Sequence, residues 1–170
     1  MKDDKLSLGS KLLIGGIAGF VGTMAMTAAM RRMHARLPAK ERYPLTPREI
    51  VDSGAKQLGV PLADAPARDL TTAAHFAYGA LTGAMLAAMD PDPKKRAGAA
   101  WGTVVWVASY MGWIPAIGNL EPATRHPTRR NALMIAAHLV WGASTAAAIR
   151  ELRLARETIL ADGPDKDAPR

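Results

Sequence analysis

The chain has no cysteine, and that absence removes disulfides, thiolate nucleophiles and Cys-based zinc sites from consideration. No serine-histidine-acid arrangement, phosphate-cradling Gly loop or spaced carboxylate pair occurs either, so the residues point away from an enzyme. Charge is missing in a different way. Although 22% of the 170 residues are charged, none lies in 12–30, 71–89, 97–120 or 132–149. A soluble helix that long shows a polar face to water, and these runs have almost nothing to build one from. The formal charge of +7 comes without any nucleic-acid-binding motif. Its Lys and Arg residues gather at the ends of the uncharged runs: Arg31, Arg32 and Arg36 follow the first, while Lys94, Lys95 and Arg96 precede the third. Those positions suit lipid phosphates, so a lipid bilayer rather than nucleic acid is the expected partner.

A helix rises about 1.5 Å per residue, so each run reaches roughly 27 Å or more, close to a hydrocarbon core of about 30 Å. The expected fold is all-α, a four-helix transmembrane bundle over residues 12–150, with an N-terminal tail at 1–11 and a polar C-terminal tail at 151–170. The first run is longer than the apolar part of a signal peptide and ends in Arg31-Arg32, which favours an uncleaved span. Helices in lipid associate by close backbone approach at small residues. Every span carries such a stripe: Gly15 and Gly19, Gly79 and Gly83, Gly98 and Gly102, Gly142 and Ala146. These stripes serve either the bundle itself or a homo-oligomer or larger membrane complex.

Two segments repeat. "AAHFAYGALTGAM" at 73–85 and "AAHLVWGASTAAA" at 136–148 match at seven of thirteen positions with an offset of 63. The repeat implies two pseudo-symmetric helical hairpins, and it sets His75 and His138 in equivalent places. They are the only side chains within the four runs that gain charge between about pH 5 and 8. Ionisable groups at membrane depth face a bundle interior or a cavity and are functional candidates. Tyr78 and Trp141 follow three residues later on roughly the same face, and Thr82 and Thr145 seven residues later. Three roles stay open for the imidazoles: interhelical hydrogen bonding, a proton-responsive centre, or ligation of haem b by the pair. The leading expectation involves no cofactor. Glu121, after the third span, is a carboxylate within possible reach of the histidines.

Between the first two spans, "TPREIVDSGAKQLGV" predicts a short amphipathic helix over about 47–58, with Thr46 as N-cap, Pro47 at its start and Glu49 closing a capping box. It is expected on the membrane surface or against the bundle mouth. Asp69 is expected to cap the second span. Pro115, with Gly118 and Asn119, predicts a kink or termination near 112–118. Orientation is not set by charge, because eleven Lys and Arg residues fall on each side.

The order of these features resembles the YagU-type bacterial inner-membrane proteins: a Gly-rich first span, "YPLTPREI" in a long loop, a histidine in span two, "IPAIGNLEP" ending span three, and "AHLVWG" in span four. The resemblance covers roughly 12–150, and "HLVWG" is its most specific piece. It implies a small multi-pass protein of the inner (plasma) membrane, with cytoplasmic termini and an association with acid resistance, but no reaction. The chain departs from that family in having no loop cysteines.

Overall fold

The computed structural model describes residues 6–42, 45–60, 62–118 and 120–163. Their regular structure is all helical, with no strand among them: α1 Leu8–His34, α2 Thr46–Gln57, α3 Asp64–Met89, α4 Lys95–Val107, α5 Ile114–Ala116 and α6 Thr128–Glu157. A π-helical turn, Ala108–Trp113, joins α4 to α5, and short 3₁₀ turns stand at Ala39–Glu41 and Ala123–Arg125. Among the described residues, α1 and α6 are long and apolar enough to cross a membrane.

The helices overrun the uncharged sequence. α1 starts at Leu8, where the Ser7 side chain accepts from the backbone N–H of Ser10, so the expected tail at 1–11 is partly helical. Residues 1–5 lie outside the described part. At the other end α6 continues through Arg150–Glu157, and the C-terminal tail begins later than 151. Tail residues 164–170 are likewise outside the described part. Lack of charge delimits only the apolar run, whereas the i to i−4 hydrogen bonds continue through charged residues.

α1 packs against both α3 and α6, α4 packs on α6, and α2 lies on α3. The α3–α4 side is only sparsely packed. Close approach follows from the small-residue stripes. Gly15 and Gly19 meet Gly83 and Gly79 across the α1–α3 interface, where a methyl on Gly15 would lie 2.5 Å from the Gly83 carbonyl oxygen. Gly98 faces Gly142 and Ala146 across α4–α6, and Gly102 faces the backbone of His138. The stripes of each sequence hairpin thus pair with one another within the chain. α3 and α6 begin 64 residues apart, close to the repeat offset of 63.

Two buried clusters follow. One joins Ile14, Ala18, Leu86, Ala87 and Ile149. The other gathers Met26, Met30, Val105, Tyr110, Met134 and Trp141 toward the opposite end, with Ile50 of α2 packed against it. The expected break after α4 occurs at Gly112, whose φ of −114° and ψ of −108° are non-helical. Pro115 lacks the N–H that would bond Met111, and the π turn accommodates the lost bond before α5 begins. The segment then turns at Gly118, with φ of 72°. Asn119, expected in that turn, lies outside the described residues.

Candidate functional site

Repetition in sequence becomes juxtaposition in space. His75 and His138 line the same central cavity of about 280 Å³, and Tyr78, Thr82 and Trp141 line it with them. Counting from the helix starts at Asp64 and Thr128, the two histidines stand at nearly equal depth, about three turns in. Thr23 and Met26 of α1 and Val105 of α4 complete the wall, together with Ser109, Tyr110 and Trp113 from the π turn.

His138 is buried, and its Nδ1 lies 2.7 Å from the Met134 carbonyl oxygen. A carbonyl only accepts, so Nδ1 carries the hydrogen. The Tyr110 ring meets His138 edge-on, with centroids 6.2 Å apart. Nε2 of His75 is buried without a hydrogen-bond partner. A haem iron placed here would have His75 and His138 as possible ligands, alongside Met26, Met134, Tyr78 and Tyr110. Among the described residues, no three His, Asp or Glu side chains gather into a metal-binding group.

The aromatic and threonine positions divide. Tyr78 hydrogen-bonds Ser109 through hydroxyls 2.9 Å apart, and the indole N–H of Trp113 donates to the Tyr78 hydroxyl at 3.4 Å. Trp141 donates to the Gly19 carbonyl at 3.3 Å, tying α6 to α1. Thr82 donates to the Tyr78 carbonyl, and the Trp101 indole donates to the Thr82 carbonyl. Thr145 does not line the cavity: it is fully buried against Gly22, and its hydroxyl donates to the Trp141 carbonyl. Glu121 is not brought to the histidines. It is exposed, pairs with Arg125 at 2.9 Å and does not line the cavity.

α2 covers one end of the cavity, to which Thr46, Pro47, Ile50 and Val51 contribute. The capping box does not form. Leu45 occupies the N-cap position without a side-chain cap bond. Thr46 and Glu49 instead receive the buried guanidinium of Arg130 at the start of α6, which donates to the Thr46 hydroxyl at 3.0 Å and to both Glu49 carboxylate oxygens. A charged donor outcompetes a local cap when burial makes its satisfaction more valuable. Asp69 likewise caps nothing, since α3 starts five residues earlier at Asp64. Arg48 of α2 completes the attachment, pairing with Asp52 at 2.8 Å and with Asp64 at 2.9 Å. The hydrogen bond from Arg48 holds the Asp64 carboxyl below the usual carboxylate value.

Ser109 and Tyr110 line the cavity and Arg130 holds α2 beside it, although none of the three stood out as a sequence candidate. Arg130 lies two residues outside an uncharged run, and that placement was the available signal. Comparisons with protein-family models, curated proteins and solved structures give no match.

Proposed function

We propose that this chain is a non-enzymatic, multi-pass membrane protein, a four-span bundle in which His75 and His138 form an acid-responsive polar centre. The observation that carries the membrane reading is an inverted distribution of side chains. Phe20, Leu81 and Val104 are 48%, 60% and 53% exposed along the outward faces of α1, α3 and α4, while Thr23 and Thr145 are 1% and 0% exposed inside. A protein in water hides its large apolar side chains, so a continuous apolar exterior around a polar-dotted interior suits lipid. α4, the π turn and α5 together supply the third crossing. Next to the irregular Gly112, Trp113 and Ile114 line the cavity.

The resemblance to YagU-type proteins implies an inner-membrane location with cytoplasmic termini. It also motivates the acid role, which the two imidazoles suit by their intrinsic chemistry. Adding charge within an uncharged cavity is costly, so acidification disfavours the closed arrangement and favours one that admits water or counter-ions. α2, held by ion pairs, is the part positioned to yield.

Replacing both histidines by glutamine in cells challenged with acid tests this role. Survival should fall while expression and membrane retention stay normal. Unchanged survival at normal expression would remove the proton-responsive role.

A further inference from the structure

Among the described residues, no Lys, Arg, Asp or Glu side chain lines the cavity. A charged ligand would lose its hydration there without meeting a counter-charge, so a neutral occupant fits. The two imidazoles narrow the chemistry further. With Nδ1 of His138 donating to Met134, Nε2 of the neutral ring is an acceptor that suits an O–H or N–H donor. Nε2 of His75 is one of several buried side-chain polar atoms without a hydrogen-bond partner, and among the described residues it is the one whose side chain lines the cavity. A hydroxyl both donates and accepts, so it answers both rings. Four aromatic side chains, Tyr78, Tyr110, Trp113 and Trp141, stand in a wall that is otherwise mostly aliphatic, and their ring faces suit a flat hydrocarbon body. At about 280 Å³ the space lies at the small end for ligand sites.

We propose that the cavity binds a neutral, lipid-soluble phenol or hydroquinone, its ring against Tyr78 and Trp141 and its hydroxyl at His75 and His138. Entry follows the sparsely packed side between α3 and the π turn. Side chains bridge that seam: Tyr78 to Ser109, Trp113 to Tyr78, and Trp101 to Thr82. Trp113 is 40% exposed on its outer face, and the non-helical Gly112 beside it provides a hinge. Only this route of entry rests on the membrane reading; the binding site does not.

The test uses the full chain with ¹⁵N-labelled histidine in detergent micelles, where four histidines give a simple spectrum. Titration with 1-naphthol should move the Nε2 resonances of His75 and His138 saturably, whereas naphthalene, lacking the hydroxyl, should leave them nearly unmoved. His138→Phe should weaken 1-naphthol binding about 10-fold, the equivalent of one good hydrogen bond, while changing naphthalene binding less than about 2-fold. Partition into micelles is common to both proteins and cancels. If His138→Phe misfolds, the wild-type comparison still decides. Equal shifts from both compounds, or none from either, would overturn the proposal. A chain that stays in membranes without a naphthol-specific shift refutes the site alone, and a water-soluble chain that shows the shift refutes the membrane reading alone.

Discussion

The guanidinium of Arg130 reaches the carboxylate of Glu49 across 81 positions of sequence, and this pair fastens α2 over the cavity. The Arg130 side chain is 7% exposed and that of Glu49 is 25% exposed. Removing one member of a buried pair leaves the other charge uncompensated, whereas the solvent around Glu49 softens the loss. Glu49→Ala should therefore destabilise the protein by about 1–3 kcal/mol, read as a lower unfolding midpoint in detergent. Proteolysis near Gly59 should accelerate as α2 loosens. A variant with unchanged stability and cleavage would show that the pair does not hold the cap.

Backbone approach at the glycine stripes gives a sharper contrast. At Gly142, a methyl would collide with the carbonyl of Gly98, and neither backbone can retreat without separating α4 from α6. Gly142→Ala should cost at least about 2 kcal/mol. Gly54 in α2 has nothing within 4 Å of an added methyl. There, alanine should raise stability by about 0.5–1 kcal/mol, because it lowers the entropy cost of helix formation. Thermal unfolding of the two variants side by side checks both signs.

The bond from Arg48 to Asp64 makes one attachment of α2 sensitive to pH. Asp64 has its carboxyl pKa lowered from 3.8 in the folded chain. A depressed folded pKa stabilises above the unfolded value, and that stabilisation disappears as pH falls through the folded value. Hydrogen exchange in α2 should thus carry an acid-induced rise below about pH 4, governed by Asp64. Asp64→Asn should remove that component and leave exchange in the α1 interior unaltered. If the acid-induced rise persists at full size in Asp64→Asn, other groups control it.

Much of this architecture was legible because composition and period repeat along the chain. Uncharged runs marked the helices, the offset of 63 paired His75 with His138, and small-residue spacing found both close interfaces. Local rules failed where a distant group competed. Thr46 and Glu49 satisfy the sequence pattern of a capping box, yet Arg130 takes both side chains. Asp69 stands beside an uncharged run, but hydrogen-bonded backbone continues past it to Asp64. Thr145 shares the helical spacing of Thr82, and the neighbour at Gly22 turns it into packing rather than cavity wall. Helical spacing fixes a face; the partner helix decides what that face meets.

In the proposed bundle α1, α3, α4 and α6 expose apolar surface to lipid rather than water, and the cysteine-free chain lets single cysteines report it. Single cysteines at Ile17, Met85, Val107 and Val140 fall on positions that are 46%, 47%, 45% and 36% exposed. Cysteines at Ala39 and Arg125 mark the exposed connections. With a membrane-impermeant maleimide applied to opened vesicles, positions 39 and 125 should label, and the other four should stay protected until denaturant is added. Prompt labelling of all six without denaturant would contradict the lipid-facing bundle.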